Sequence, residues 1–315
     1  MSFEKFPPPH TGGRIANILY NGLKKYGLTK KFLCATGDSA SNNIHGMARL
    51  AHLLEKSRKI KWSYIEGFLH CSAHAFNIVA HDICKPFIHK VKQVGKDMPV
   101  EIEEGIEGLD DAMAKGRISG ALSKIQRLSV SKNQNFQQYW TGFSARLRPG
   151  LPVLKLVKSV DTRWNSRHLQ IESALKMRKV YDAVTRREEL GPKITACALS
   201  DEEWEALIWL DRLLEKLNEC TNRVGATKSV TISHMVPAFS ALINIVEDLL
   251  DMEKEGMDLD VEGGADESEA TPHLTALTVG LKKLRKYFDF SVSNPYYVFG
   301  MSTYNNSLLF EALAG

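Results

Sequence analysis

Three short stretches of the chain hold the residue types and spacings that could do chemistry. The first is Ala35-Thr-Gly-Asp-Ser-Ala-Ser-Asn-Asn43, in which Asp38 directly follows a short apolar run, residues 31–36, and precedes a helical pattern. A carboxylate at the carboxyl end of a buried strand is where α/β folds place catalytic and metal-binding acids. Asp38 or Ser39 could equally cap the next helix, since Asp, Ser and Asn are all good caps. The second stretch is His70-Cys71-Ser-Ala-His74, continuing to Asn77, His81 and Cys84. Cys71 and His74 have the spacing of two zinc ligands, and His74, His81 and Cys84 share one face of a helix. Zinc fingers usually separate their ligand pairs by a longer loop, so buried, hydrogen-bonded His and Cys are the favoured reading and zinc is not expected. The third is Asp161-Thr-Arg-Trp-Asn-Ser-Arg167. There Arg163, Asn165 and Arg167 interleave with Trp164, a pattern suited to phosphate contacts beside a stacking ring. The alternative is a tryptophan anchoring a helix start in the core.

The elements that must position these residues follow from hydropathy. Arg14 to Tyr26 reads helical, with Ile15, Ile18, Leu19 and Leu23 on one face. Two short apolar runs, 31–36 and 67–71, have the length of buried strands. Helical patterns follow them over 39–56 and from about 73 to 92, so the first ninety-odd residues predict an α/β unit with a parallel pair. Residues 101–111 are an acidic, glycine-interrupted connector. Beyond about 113 the signals are helical. Ser200 and Glu203 form a capping box, followed by Leu207, Leu210, Leu214 and Leu217. Met235, Phe239, Leu242, Val246 and Leu249 repeat that spacing, and Thr271-Pro272 opens another helix with Leu277, Leu281, Leu284 and Phe288 on one face. Residues 252–270 are acidic, glycine-containing and free of aromatics, and read as a disordered loop. The expected organisation is a disordered start over 1–12, an α/β segment over 13–95, a connector over 96–112 and a helical domain over 113–315.

Composition limits the possibilities. The chain has 315 residues, 43% hydrophobic and 25% charged, which excludes wholesale disorder. No apolar run approaches the roughly 18 residues that span a bilayer, and the N-terminal stretch lacks the apolar core of a signal peptide. Five scattered cysteines suit a reducing compartment better than a disulfide framework. The net charge is only +4, but it is unevenly distributed. Residues 247–270 hold eleven acids against Lys254, whereas residues 115–180 hold fourteen Lys or Arg against Asp161 and Glu172. The basic stretch is either a solvated face or a polyanion-binding surface.

The ordered set T-G-D-S-A-S-N-N, C-x-x-H-x-x-N and D-T-R-W-N-S resembles the hAT transposase superfamily, the Activator-like elements and their domesticated relatives. The resemblance runs from about His10 to Tyr297. It implies a partial ribonuclease-H-like α/β core followed by a large all-helical insertion domain, mostly helical overall. It also implies DNA as the partner, a nuclear location and no membrane attachment. The family's catalysis uses three carboxylates holding Mg²⁺ or Mn²⁺ for phosphoryl transfer at DNA ends. Asp38 matches the second acid and would be its remnant, a metal ligand only if the triad were complete. The first acid, the final Glu and the oligomerisation segment are expected to lie outside this chain, which implies no bound cofactor and no catalysis. Trp164 matches the family tryptophan associated with stacking on a flipped base, and Cys71 and His74 match its Cys-x-x-His signature. Ser39 replaces the commoner Asn after the acid. The competing expectation is a domesticated nuclear module that binds DNA or protein without enzymatic activity.

Overall fold

The computed structural model describes residues 9–88, 120–160, 165–225, 232–259 and 271–302. Over these the chain is mostly helical, with one small two-stranded parallel sheet. It divides into two compact units: Met1–Phe76, Thr221–Ala241 and Lys286–Gly315 form one, and Asn77–Cys220 with Leu242–Arg285 form the other. The expected start at 1–12 is described only from residue 9, and the connector at 96–112 lies outside the described residues. Residues 221–241 and the segment from 286 group with the N-terminal unit.

The strand-bearing unit is built on helix α1 (Gly12–Lys25), strand β1 (Ala35–Gly37), helix α2 (Ser41–Arg58), a single turn α3 (Tyr64–Gly67) and strand β2 (Phe68–His70). Thr11 caps α1, its side chain accepting from the Arg14 N–H. The packed face of α1 is Ile15, Ala16, Tyr20 and Leu23, set against Met47, Leu50 and Leu54 of α2 and Phe68 of β2. Leu19, expected on that face, is exposed. The two helices meet backbone to backbone at their starts: a Cβ on Gly12 would lie 2.9 Å from the Gly46 nitrogen, so this approach needs glycine. Strands β1 and β2 pair in parallel, Ala35 with Phe68 and Gly37 with His70. A parallel pair needs a crossover connection, and α2 supplies it.

Side chains satisfy backbone carbonyls around this small sheet. Tyr297 donates to the His70 carbonyl at 3.0 Å, and Asn294 donates to that of Glu66 at 2.8 Å. The Leu33 carbonyl accepts from Trp62 Nε1 at 2.7 Å and from the Tyr296 hydroxyl at 2.9 Å. A two-stranded sheet leaves many backbone groups unpaired, and these bonds answer part of that cost.

The helical unit contains α5 (Ala121–Ser129), α6 (Gln134–Leu147), α7 (Asn165–Lys176), α8 (Arg178–Thr185) and the short α9 (Pro192–Thr195). Helix α4 (Ser72–Ile88) leads into it, and α10 (Asp201–Val224), α11 (Met235–Leu259) and α12 (Pro272–Ser293) are long; α13 (Pro295–Ser302) ends the described chain. The Ser200 capping box forms in full: the Ser200 N–H donates to Glu203 at 2.9 Å, and the Glu203 N–H donates to Ser200 Oγ at 3.2 Å. Leu207, Leu210, Leu214 and Leu217 are all buried, so the leucine stripe of α10 is core. Lys124 joins α5 to the start of α10, donating to Glu203 and to the Ala198 carbonyl. Trp204, buried, donates to Asp182 at 3.0 Å. Residues 252–259, read from composition as loop, continue α11 instead. The helical preference of Met, Glu and Lys outweighs their polarity there; residues 260–270 lie outside the described residues. Among the described residues no helix is long and apolar enough to cross a membrane.

Candidate functional site at the strand carboxyl ends

Parallel pairing places the ends of β1 and β2 side by side, and with them two of the three motifs. The Cys71 N–H donates to the Gly37 carbonyl at 2.7 Å, extending the ladder one residue past β2. Asp38 therefore leaves β1 beside the point where Cys71 leaves β2. Asp38 is exposed, and one of its oxygens, Oδ1, accepts from the Ala40 N–H at 3.0 Å and from Asn43 Nδ2 at 2.6 Å. This Asx-type turn fixes the carboxylate and leads the chain into α2. Neither Asp38 nor Ser39 caps α2, whose N-cap is Ala40 without a side-chain cap bond; one Asp38 oxygen holds the turn before it, and among the described residues no hydrogen bond reaches Oδ2.

Ser39 and His70 tie the two strand ends together. Ser39 Oγ lies 3.1 Å from His70 Nδ1, the donor being set by the imidazole tautomer. The His70 ring packs on Phe290 at 4.4 Å and lies edge-on to Phe68 and Tyr287. Burial holds His70 below the usual imidazole range, and His74 and Lys286 push it further down. At neutral pH the ring is neutral, able to accept from Ser39 or donate to it. Burial also raises the Tyr297 hydroxyl, with Cys71 adding to the effect, so it stays protonated and serves as a donor. No spacing rule marks Ser39–His70 as a pair, because they are 31 residues apart and meet only through strand register.

The remaining sequence candidates are distributed differently. Cys71 and His74 are half-buried in the strand-bearing unit. Cys84 belongs to the helical unit and is buried, its thiol pushed up to about 12 by that burial, far from a ligating thiolate. His81 lies 3.9 Å from Asp82, which is also bound by Lys85 and Lys283. Among the described residues no three His, Cys, Asp or Glu side chains converge as a metal-ligand set. One exposed carboxylate with a hydroxyl, an imidazole and a thiol does not match the oxygen-rich cage that Mg²⁺ requires. The donors present do not fit a two-metal centre.

Asn165 opens α7 and is exposed, as a phosphate contact needs. Arg167 is not: it is only 7% exposed, and its charge acts on the Cys84 thiol. Arg163 and Trp164 lie outside the described residues.

The chain is 24% identical over 251 residues to a Talaromyces stipitatus protein named as a candidate transcriptional regulator, tpeD. That match covers 78% of this chain and 28% of the relative, so the chain spans little more than a quarter of that protein's length. No protein-family model matches the chain. No solved structure matches it either.

Proposed function

We propose that this chain is a hAT-type transposase-derived protein that binds DNA and does not cut it. The observation that carries the reading is the meeting of the T-G-D-S and C-x-x-H motifs at adjacent carboxyl ends of a parallel strand pair, with a helical part following in sequence. That is the arrangement a partial ribonuclease-H-like core with a helical insertion would have. Asp38 is the remnant of the second catalytic acid. Among the described residues no three His, Cys, Asp or Glu side chains gather around it, whereas two-metal phosphoryl transfer needs carboxylates on both sides of the ions. The protein's place would be the nucleus, where its DNA target is.

The similarity to a candidate transcriptional regulator favours one form of this reading: a domesticated module that acts on DNA without transposition. Both forms require affinity for duplex DNA. Fluorescence anisotropy with an arbitrary labelled duplex tests this, and sequence-blind binding with a micromolar-range Kd that weakens steeply with salt is expected. Absence of binding at about 50 mM salt up to about 100 µM protein contradicts the reading, since even non-specific DNA binders associate more tightly than that.

A further inference from the structure

The most one-sided charge in the strand-bearing unit sits at the opposite end of α2 from Asp38. Helices α1 and α2 run parallel: Gly12 of α1 meets residues 42–46 of α2, and Tyr20 of α1 lies beside Ser57 and Arg58 at the end of α2. Their carboxyl ends therefore lie together. Lys24 and Lys25 end α1, and Lys56 and Arg58 lie in the last turn of α2. The segments that follow are pinned to the same end. Phe32 and Trp62 pack with ring centroids 4.8 Å apart, and Trp62 donates to the Leu33 carbonyl. That contact brings Lys30 and Lys31, which precede Phe32, to Lys59 and Lys61, which precede Trp62. All eight cations are exposed, and Glu55 is the sole acid within residues 20–37 and 55–62.

Two features exceed what two helix ends require. A helix carboxyl terminus is balanced by one or two nearby cations, whereas these two ends gather eight. Among the described residues none of the eight is in an ion pair, whereas Lys124, Lys176, Arg178 and Lys283 of the helical unit are each paired with an acid. In addition, Lys59 adopts a left-handed conformation with φ 58°, the one described non-glycine residue with positive φ. Glycine or asparagine would hold that helix-ending position at lower conformational cost. Here a cation occupies it.

We propose that the joined carboxyl ends of α1 and α2, with Lys30, Lys31, Lys59 and Lys61 at their centre, form the surface that grips the phosphodiester backbone of duplex DNA. The proposal rests on the DNA-binding reading above and names its surface. Point charges on rigid elements suit phosphates, which carry no sequence information and position the duplex. Tyr26 and Leu33 are exposed beside the cations, but in the connection between α1 and β1 rather than along one face of an amphipathic helix. A membrane-surface site would use such a face.

The test uses the full chain and two variants that lose equal charge. One carries Lys30→Gln, Lys31→Gln, Lys59→Gln and Lys61→Gln. The other carries Lys132→Gln, Lys155→Gln, Lys158→Gln and Lys179→Gln, four exposed lysines of the helical unit. Equal thermal midpoints confirm that each variant folds, since every substituted side chain is exposed. Anisotropy of a labelled duplex of about 20 base pairs is read between about 50 and 200 mM salt. The first variant is expected to bind about 30- to 100-fold more weakly at about 0.1 M salt, with the salt slope reduced by about 3 to 4, since each lost phosphate contact removes about 0.9. The second is expected to change affinity by less than about threefold at the same salt. Equal losses, or a larger loss in the second variant, overturn the surface and leave the DNA-binding reading standing. A wild-type chain that binds phosphatidylserine vesicles but no duplex overturns both.

Discussion

Two basic regions of the chain use their charge in opposite ways. Residues 115–180 carry the larger excess by count, and composition alone points there for a polyanion partner. In the fold much of that charge is turned inward or paired. Lys124 is held by Glu203, Lys176 by Glu172 and Arg178 by Asp201, while Arg167 is buried. Arg146 lies over the Phe143 ring at 4.6 Å and Arg178 over Trp204 at 5.2 Å. At the ends of α1 and α2 the count is smaller, yet the cations stay exposed and form no ion pair among the described residues, with Lys25 lying over the Tyr26 ring at 5.5 Å. The difference shows that a linear count of charge measures potential only where folding leaves the charges unmatched. In the helical unit Lys124 and Arg178 tie helices together, while Lys132, Lys155, Lys158 and Lys179 stay exposed; at the ends of α1 and α2 every cation is exposed.

The sharpest way to break this contrast is Asp82→Ala. Asp82 is 8% exposed and binds Lys85 at 3.0 Å and Lys283 at 3.2 Å, joining α4 to α12. Burial alone would raise its carboxyl, but His81, Lys85 and Lys283 outweigh that and hold it far below the usual carboxylate range. Removing it strands two half-buried cations, and chemical denaturation is expected to show a loss of about 3 kcal/mol. The pH dependence has a definite sign. A depressed folded pKa gives stability that is present above the unfolded value, near 4, and is lost as pH falls below it. Wild type should therefore lose more stability than Asp82→Ala on acidification below about pH 4.

A smaller effect separates stability from binding. Arg167→Ala is expected to destabilise the fold by about 1 to 3 kcal/mol, because a buried charged side chain and its bonds are removed. Its DNA affinity, measured where the protein is fully folded, should match wild type. Reduced affinity at unchanged stability would return Arg167 to the binding surface.

The smallest effect concerns His168, whose Nε2 lies 3.3 Å from Asp211. The hydrogen bond to Asp211 raises its pKa, burial opposes the rise, and the charges of Asp211, Glu172 and Glu215 add to it. A raised pKa gives stability that is complete below the unfolded value, near 6.5, and is lost as pH rises through the folded one. Wild type should lose about 1 kcal/mol or less between about pH 6.5 and 8, and His168→Gln should lose nothing over that window.

Periodicity and caps made much of the fold legible. The two strand positions, the parallel pairing, the Ser200 capping box and the leucine stripe of α10 follow from local patterns that tertiary packing reinforces. Local patterns failed where packing decided alone. The stretch opened by Asp161-Thr-Arg-Trp-Asn-Ser-Arg167 reads as one helix running to about Arg187, but the chain breaks at Met177 into α7 and α8, and Tyr181 of α8 donates to the Cys197 carbonyl. Leu19 looks like a core residue, but the close approach of Gly12 and Gly46 rotates α1 toward Ala16 and Tyr20. At the candidate site Asp38, Cys71 and His74 were visible as motifs. The Ser39–His70 contact and the Tyr297 hydroxyl were not, since both arise from segments brought together by the sheet. Burial likewise cannot be read from a basic motif, as the 7% exposure of Arg167 shows.

Asp38 is a fixed acid outside any three-member His, Cys, Asp or Glu cluster among the described residues, and the proposed function joins that to DNA binding. One gel measures both halves of that claim: supercoiled plasmid incubated with the full chain and Mn²⁺, run beside the same reaction with Asp38→Ala. Wild type and variant should retard the plasmid equally, and neither should convert it to the nicked form, because a lone carboxylate cannot position two divalent ions about 4 Å apart on a phosphate. Nicking by wild type that disappears in Asp38→Ala contradicts the account and requires a further acid at the carboxyl ends of β1 and β2.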